Sequence, residues 1–184
     1  MRLVLATRNP HKAREFGALL DGIEVAPLPA DVVLPPETGD TFAANALIKA
    51  RAGAAATAGP VIADDSGIEA AALGGAPGVH SARFAGEHAT DTENLAKLLH
   101  EAPAGSALAY VCVIALVDGE EERLFEGRCT GTLAAAPRGS GGFGYDPAFV
   151  PEGETRTVGE MTAAEKDAVS HRARAVADLL RRLA

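Results

Sequence analysis

The chain has 184 residues, of which 47% are hydrophobic and 23% are charged, and its formal net charge is −8. This composition supports a buried core and argues against intrinsic disorder. The acidic balance argues against a nucleic-acid polymer or an anionic membrane surface as the main partner, because both require a basic footprint. It does not exclude a single nucleotide, which requires only a few local cations and a metal ion.

The cysteines and the apolar runs bear on where the protein works. Its two cysteines, Cys112 and Cys129, do not indicate a disulfide framework. The chain becomes polar at Thr7 and Arg8, which is too early for a signal peptide. Its longest apolar run, residues 107–117, is shorter than the roughly 20 residues that a membrane span needs. We therefore expect a cytoplasmic protein.

The first motif is a short apolar strand that runs directly into a helix. Residues 3–6 predict the strand, Asn9 suits a helix N-cap, and Pro10 suits the first helical position. Lys12 then lies in the first turn, where the helix dipole disfavours a cation by about 0.3–1 kcal/mol. Either a phosphate binds at this helix start, or Lys12 is solvated. On the dipole argument alone, removing Lys12 should leave the fold intact or slightly more stable.

The rest of the chain alternates helices and strands before a late hairpin. We predict strands at 24–26, 61–63, 107–117, 123–127, 130–134 and 148–150, with a further extended stretch at 68–73. We predict helices near 10–20 and 41–58, after the capping box at residues 90–93, after Thr162 and after Ser170. This order predicts an α/β fold with a mixed sheet and flanking helices.

A pair of carboxylates follows the strand predicted at 61–63, which we expect to end at Asp64. Ligands of open α/β sheets gather at such strand ends. There Asp64 and Asp65 can share Mg²⁺, or one of them can act as a base towards water. The alternative is a turn, because residues 64–67 also suit Asx-turn chemistry. Glu37, before the second long helix, is either a third metal-site carboxylate or a favourable charge at a helix start.

Polar residues elsewhere suggest further ligand contacts. Lys49 lies one turn after Asn45 and borders an apolar stripe, so it either lines a cleft wall or is a solvated lysine. The loop at 139–147 contains four glycines and two aromatic residues, Phe143 and Tyr145. Its backbone can approach a ligand closely and its rings can stack on a flat base. The alternative is a mobile surface loop.

The start of the last helix carries two cationic donors, His171 and Arg172. Either they donate hydrogen bonds to a base carbonyl, or His171 is an ordinary helix-cap residue. Donors at this position would favour a 6-keto purine over adenine, whose 6-amino group is itself a donor. We therefore expect ITP and XTP to be preferred over ATP.

Together these segments resemble the non-standard purine nucleoside triphosphate pyrophosphatases, a family that includes inosine and xanthosine triphosphate pyrophosphatases. Six matching stretches occur in the family's order: Leu5–Lys12, Glu37–Phe42 with Asn45 and residues 49–51, Ala63–Gly67, Gly74–Gly78 with residues 81–83, Gly141–Pro147, and Ser170–Arg172. They extend over nearly the whole chain. The chain departs from the family at His80, where an aromatic residue is frequent, and at Ala173, where glycine is common.

The resemblance implies a two-lobed α/β fold over residues 1–184, with a long mixed sheet flanked by helices and an active-site cleft between the lobes. It implies Mg²⁺-dependent hydrolysis of ITP, dITP and XTP to the monophosphate and pyrophosphate, which would cleanse the nucleotide pool. It also implies a homodimer that acts on a small-molecule nucleotide.

The resemblance further assigns roles to individual residues. Asp65 would be the catalytic carboxylate and would surround the metal together with Glu37 and Asp64. Residues that would contact the substrate are Thr7, Arg8, Asn9, Pro10, His11 and Lys12 in the triphosphate loop, Lys49, Ser66 and Lys166, and Phe143, Gly144, Tyr145, Asp146, His171 and Arg172 around the base.

Two alternatives from other classes remain open. A Maf-type nucleotide pyrophosphatase of related fold would act on pyrimidine or modified nucleotides, but such enzymes begin with a serine-rich loop that residues 7–9 do not match. A nucleotide-binding regulator would sense without hydrolysis, and it would rarely need paired acids such as Asp64 and Asp65. Release of pyrophosphate from ITP separates a hydrolase from a regulator.

Overall fold

The structure, a computed structural model, describes residues 2–183, and the chain divides into two compact units. The first unit contains the chain up to Asp65, Cys112–Gly127 and the chain from Arg172 onward. The second unit contains Ser66–Val111 and Arg128–His171. None of the helices within residues 2–183 has the length and apolar character needed to cross a membrane.

A mixed β-sheet is the central element. Its strands are β1 (Arg2–Leu5), β2 (Glu24–Pro27), β3 (Val61–Ala70), β4 (Ala107–Asp118), β5 (Glu121–Leu133) and β6 (Phe149–Pro151). Their order in the sheet is β2-β1-β3-β4-β5-β6. β1 runs parallel to β2 and β3, whereas β5 and β6 are antiparallel. The predicted mixed sheet with flanking helices is therefore confirmed.

The α-helices begin where capping side chains predict. They are α1 (Pro10–Leu19), α2 (Phe42–Ala56), α3 (Asp91–Glu101), α4 (Ala163–Val169) and α5 (His171–Leu183). Asn9 caps α1, and Thr41 caps α2 by accepting from the Ala44 amide at 3.1 Å. Thr90 and Thr162 form the capping boxes of α3 and α4.

In the first unit, alternate residues of the strands face opposite helices. Leu3 and Ile62 pack with Phe16 of α1 and Leu179 of α5. The neighbouring residues of the same strands, such as Val61, pack with α2 on the other face. This alternation follows from the period of two along a strand. The second unit has its own core, in which α3 packs with residues of β4, β5 and β6.

Two strand predictions are wrong. β3 does not end at Asp64 but continues to Ala70, and the stretches at 123–127 and 130–134 are parts of the single strand β5. Consecutive acidic residues resemble a turn in sequence, but Asp64 and Asp65 are buried within the strand. A strand can contain such residues only when other side chains neutralise their charge.

Gly53 and Gly17 test how tightly α2 packs on the sheet. A Cβ at Gly53 would lie 2.8 Å from Val61 Cγ1 and 3.2 Å from Ala6 Cβ, whereas a Cβ at Gly17 in α1 would meet nothing within 4 Å. Alanine improves helix propensity at both positions by about 1 kcal/mol. We expect Gly17→Ala to stabilise by about that amount, and Gly53→Ala to destabilise by about 1–3 kcal/mol through overpacking.

Denaturant unfolding of both variants measures these changes. Equal stabilisation by the two substitutions would show that α2 can move away from β3 without cost.

Candidate active site

The loop between β1 and α1 is organised around Asn9. Its Oδ1 accepts hydrogen bonds from the backbone amides of His11 at 2.9 Å and Lys12 at 3.3 Å. The Asn9 amide donates in turn to Thr7 Oγ1 at 3.2 Å. The predicted N-cap is confirmed, and it fixes the direction in which the Lys12 side chain leaves the helix.

Lys12 contacts a buried carboxylate of the protein. Its Nζ lies 2.9 Å from Oδ2 of Asp64, whose side chain has no exposed surface. Arg172 Nη2 lies 3.5 Å from the same oxygen. The unfavourable position of Lys12 in the helix dipole is thus offset by the charge of Asp64. The solvated alternative for Lys12 is wrong, because its side chain is only 13% exposed.

The charge of Asp64 is stabilised by these cations. Burial raises the pKa of Asp64, but the charges of Lys12, Arg172 and Lys49 outweigh burial and hold the pKa well below its ordinary value. Asp64 is therefore ionised at neutral pH. Within residues 2–183, its other oxygen, Oδ1, has no hydrogen-bond partner.

Asp65 has a different set of partners, supplied by α2. Asn45 Nδ2 donates to Asp65 Oδ2 at 3.0 Å, and Lys49 Nζ lies 3.8 Å from Oδ1. Lys49 also pairs with Glu37. Asn45 and Lys49 are buried, which overturns the solvated alternative for Lys49. They are four residues apart and therefore share one face of the helix.

Burial dominates the electrostatics around Asp65. It raises the pKa of Asp65, with Lys49 acting against this shift and Glu37 adding to it. Burial lowers the pKa of Lys49, but the carboxylates of Asp64, Asp65 and Glu37 outweigh it and raise the pKa overall. Lys49 is therefore a fixed cation beside Asp65.

The two adjacent carboxylates point in different directions because they lie in a strand. Asp64 contacts Lys12 of α1 and Arg172 of α5, whereas Asp65 contacts α2. In the described part of the chain, no three carboxylate, imidazole or thiol groups form a ready-made metal site.

The donor chemistry nevertheless fits a hard cation. Asp64, Asp65 and Glu37 offer only carboxylate oxygens, the ligands that Mg²⁺ prefers. Asp64 Oδ1 is available in the sense that no described residue bonds to it. Asp64 and Asp65 also lie next to the end of β1. Leu5, the last residue of β1, is opposite Ile62 of β3, two residues before Asp64. The aspartates therefore do not lie at the predicted carboxyl end of their own strand, because β3 continues to Ala70; they lie beside the carboxyl end of β1.

Two residues of the predicted triphosphate loop, Arg8 and His11, contact other side chains or backbone of the protein. The Arg8 guanidinium donates to the carbonyls of Leu28 at 3.1 Å, Pro29 at 2.6 Å and Val32, so it fastens the loop after β2. His11 Nδ1 lies 2.8 Å from Arg14 Nη2, and Pro10 is exposed at the first position of α1. Their predicted contacts with substrate stay predictions.

The second unit contains a separate polar group around Asp146. This buried carboxylate accepts from Tyr110 Oη at 3.0 Å, from the Phe143 amide at 2.9 Å and from Lys166 Nζ at 2.9 Å. The His171 ring stacks on Tyr110 with centroids 4.7 Å apart and planes 10° apart. A small pocket is lined by Tyr110, Cys129, Asp146, Phe149, Val158, Lys166, Val169, Ser170 and His171.

The glycine-rich loop is held by this group. A Cβ at Gly142, where φ is +72°, would lie 2.0 Å from Asp146 Oδ2, so glycine is required there. The Gly144 amide donates to Asp91 Oδ2 at 2.9 Å, and Tyr145 Oη donates to the Ser81 carbonyl at 2.7 Å. Tyr145 is 5% exposed, so its ring does not offer the predicted stacking face. Phe143 lies instead under Lys166 Nζ, 4.6 Å from the ring centroid.

The side chains of the predicted donor pair, His171 and Arg172, have different surroundings. His171 lines the pocket of the second unit, whereas Arg172 belongs to the first unit and pairs with Glu15 and Asp64. Arg172 is 1% exposed. Ser66 follows Asp65 on β3 and is partly exposed. The predicted role of His171 and Arg172 at a base carbonyl stays a prediction.

Sequence reasoning missed Glu15 and Tyr110 as members of these groups. Glu15 lies three residues after Lys12 on α1, a spacing that places both on one side of the helix. Tyr110 lies in the apolar run of β4, where an aromatic residue is the usual core choice. Only the spacing of Glu15 from Lys12 is a signal that sequence analysis could have used.

A substitution of Lys12 tests how much its ion pair with Asp64 contributes to stability. We expect Lys12→Met to destabilise the protein by about 3 kcal/mol, because it leaves the buried charge of Asp64 with less compensation. This reverses the expectation from the helix dipole alone. Arg14→Met, an exposed change on the same helix, should stay within about 0.5 kcal/mol of the unchanged protein.

Urea unfolding at neutral pH, without nucleotide, measures both variants. A stable Lys12→Met protein would show that the pair with Asp64 contributes nothing to folding.

Comparisons with known proteins agree on one family. The sequence model of the Ham1 family matches residues 3–182. A dITP/XTP pyrophosphatase of Symbiobacterium thermophilum is 53% identical over 188 residues, covering 99% of this chain and 94% of that protein. A protein of the same description from Streptomyces coelicolor is 50% identical over 189 residues, covering 95% and 92%.

Solved structures show the same likeness in three dimensions. A HAM1 protein from Coxiella burnetii matches with a TM-score of 0.91 at 40% identity, covering 100% of this chain and 98% of that one. A nucleoside-triphosphatase, also described as a dITP/XTP pyrophosphatase, from Mycobacterium abscessus matches with a TM-score of 0.78 at 47% identity. That match covers 98% of this chain and 99% of the other.

Proposed function

The chain belongs to the Ham1 family, and from this membership we propose that it hydrolyses non-standard purine nucleoside triphosphates (ITP, dITP and XTP) to the monophosphate and pyrophosphate. The observation that carries the proposal is the buried carboxylate Asp65, held by Asn45 and Lys49 beside the Lys12–Asp64 pair. Relatives described as dITP/XTP pyrophosphatases support this substrate class. The role of such an enzyme would be to cleanse the nucleotide pool.

The first unit supplies the groups that the triphosphate requires. Lys12 and Lys49 are compact cations that suit phosphate oxygens. Thr7 and Asn9 add short polar side chains after the end of β1, and Ser66, the first residue of the second unit, follows Asp65 on β3. We propose that these residues bind the phosphate chain, with the other members of the loop at 7–12 shaping it.

Asp65 is the proposed catalytic residue. Burial raises its pKa, which makes the ionised carboxylate a stronger base than an ordinary aspartate. It can take a proton from the water that attacks the α-phosphorus, while the bond to the bridging oxygen breaks and pyrophosphate leaves. Asn45 fixes its orientation by donating to Oδ2.

We propose that Mg²⁺ binds Asp65, Glu37 and Asp64, as the resemblance implies. When bound, Mg²⁺ would neutralise charge that develops on the leaving pyrophosphate. The charged groups around Asp64 and Asp65 support this need: Glu15, Glu37, Asp64 and Asp65 are acidic, whereas Lys12, Lys49 and Arg172 are basic. The acids outnumber the bases in this set, so it has no excess positive charge with which to bind a triphosphate alone.

The pocket of the second unit is the proposed site of the base. Lys166 and His171 offer donors there, and Asp146 holds Lys166 in place. Donors favour the 6-keto oxygen of inosine and xanthine over the 6-amino group of adenine, since unpaired buried donors cost about 1–3 kcal/mol each. Phe143, Gly144 and Tyr145 would shape this pocket from the glycine-rich loop.

The proposal extends to the setting of the enzyme. We propose a homodimer in the cytoplasm, on the basis of the family resemblance and the sequence, with no nucleic-acid polymer or membrane as partner. Neither a Maf-type enzyme nor a regulator that binds without hydrolysis is favoured by any of the contacts described above.

A nucleotide panel tests the proposed reaction. We expect ITP, dITP and XTP to yield a monophosphate and pyrophosphate with Mg²⁺, and ATP to react much more slowly. Sites built on such hydrogen bonds discriminate by up to about 10⁴-fold. Chromatography of the products, with initial rates at one sub-saturating concentration, measures both claims. Stepwise release of orthophosphate, or ATP cleaved as fast as ITP, would contradict them.

Asp65→Asn separates chemistry from binding. We expect it to lower kcat by about 10²–10⁴-fold, because the amide keeps the shape but removes the base. Nucleotide affinity, measured by calorimetry, should change little by comparison. Asp118→Asn, at the exposed end of β4, is the matched control and should keep normal turnover. Near-normal turnover of Asp65→Asn would exclude Asp65 from the reaction.

A further inference from the structure

The glycine-rich loop at 139–147 is tied together where it begins and ends. The Arg138 amide donates to the Pro147 carbonyl at 2.8 Å, and beside this bond the Ala134 amide donates to the Ala148 carbonyl at 2.8 Å. Joining the two ends of a loop reduces the number of conformations that it can adopt. What packs against this closed base therefore sets the position of the whole loop.

Two buried residues, Thr157 and Gly159, hold that base, and we call them the clamp. The hydroxyl of Thr157, which has no exposed surface, donates to the Arg138 carbonyl at 2.8 Å. The Gly141 amide donates to the Gly159 carbonyl at 2.8 Å. The Arg138 guanidinium reaches back, and its Nε donates to Glu160 Oε2 at 3.1 Å. The clamp thus fixes the loop from outside the pocket of the second unit, whose lining includes none of these residues in the described chain.

Gly159 is glycine because the loop backbone lies too close to it for a side chain. A Cβ there would lie 2.6 Å from the Arg138 carbonyl oxygen and 2.9 Å from Pro147 Cα. The φ of Gly159 is not positive, so this contact, and not the backbone conformation, requires glycine. A Cβ at Gly139 would likewise overlap the Gly159 carbonyl. Close packing of this kind leaves no room, so a side chain at 159 must push the loop away from the clamp.

The position of the loop is transmitted to the pocket through one carboxylate oxygen. Asp146 Oδ2 accepts from the Phe143 amide and from Lys166 Nζ, both at 2.9 Å. Lys166 Nζ also lies 4.6 Å from the centroid of the Phe143 ring. Phe143 therefore helps to set, through its amide and its ring, the position of a lysine that lines the pocket. A displaced loop would leave Lys166 with a less defined position.

We propose that Thr157 and Gly159 are positioning residues that determine base specificity, because they hold the loop that fixes Lys166. The proposal rests on the proposed base site in the pocket of the second unit. A fixed donor distinguishes a keto oxygen, which accepts its hydrogen bond, from an amino group, which does not. A loosened donor turns away from an amino group at less cost, so loss of the clamp should harm ITP more than ATP. The carboxylates of the first unit, to which the chemical step is assigned, keep their own partners.

Thr157→Val and Gly159→Ala test this role. Thr157→Val keeps the shape but removes the hydrogen bond to Arg138, and we expect kcat/KM for ITP to fall by about 2–10-fold. Gly159→Ala displaces the loop and should lower it by up to about 10²-fold. The loss should appear in KM, with kcat nearly unchanged, because binding and not chemistry is affected. The value for ATP should change by no more than about twofold, so that the ratio of ITP to ATP falls.

Matched variants separate this role from general damage. Thr157→Ser keeps the hydroxyl donor and should restore the ratio of ITP to ATP to within about twofold of the unchanged protein. Thr155→Val removes an exposed hydroxyl two positions earlier, and Gly17→Ala adds a Cβ where nothing lies within 4 Å; both should keep the ratio. Melting temperatures identify any variant that has not folded. If Gly159→Ala does not fold, the comparison of Thr157→Val with Thr157→Ser decides.

Hydrogen exchange of the nucleotide-free protein provides a readout that does not depend on the reaction. The amides of Gly141 and Phe143, which donate hydrogen bonds in the unchanged protein, should exchange faster in Gly159→Ala and Thr157→Val than in Thr155→Val. Unchanged exchange at these amides, or an unchanged ratio of ITP to ATP in the folded variants, would overturn the positioning role. Absence of pyrophosphate release from ITP by the unchanged protein would instead overturn the proposed function, and the exchange result would still decide whether the clamp holds the loop.

Discussion

A carboxylate without exposed surface, Asp64, constrains the first unit more than any other group. An ion that loses its water must regain comparable interactions from the protein. Lys12 and Arg172 supply these interactions, and they come from the first and last α-helices of the chain. The docking of α1 and α5 on one face of the sheet is thus coupled to the charge of one strand residue. Apolar packing by Phe16 and Leu179 on the same face reinforces that arrangement.

Strand geometry places the neighbouring side chains of Asp64 and Asp65 in different surroundings. Successive side chains of a strand point to opposite faces, so Asp64 is committed to α1 and α5 while Asp65 faces α2. Asp64 is held ionised by cations on its side, and burial raises the pKa of Asp65 on the other. Environments that shift the pKa values of two acids apart are typical of sites that use them for different roles.

Local signals explain what the sequence could predict. The caps at Asn9, Thr90 and Thr162 and the alternation of helices and strands were read correctly, because they depend on residues close together in the chain. The continuation of β3 through Asp64 could not be predicted, since its stability depends on Arg172, which is more than a hundred positions away. The residues near Lys49 in the sequence likewise left both a cleft wall and a solvated face open, because its contacts with Glu37 and Asp65 are made only in the fold.

A buried aspartate also fixes a lysine in the second unit, where Asp146 Oδ2 lies 2.9 Å from Lys166 Nζ. In each unit, a lysine that would otherwise move freely is fixed by an aspartate, and so presents its charge from a defined position. Fixing a flexible side chain before the ligand arrives removes an entropic cost of about 0.5–1.5 kcal/mol per side chain from binding. Lys12, Lys49 and Lys166 are each held by a carboxylate in this way. Their carboxylate partners offset much of the attraction for phosphate. These cations therefore contribute more to the orientation of a bound phosphate than to its affinity. A ligand that brings its own countercharge, such as a metal-bound triphosphate, suits a site of this kind better than a free anion does.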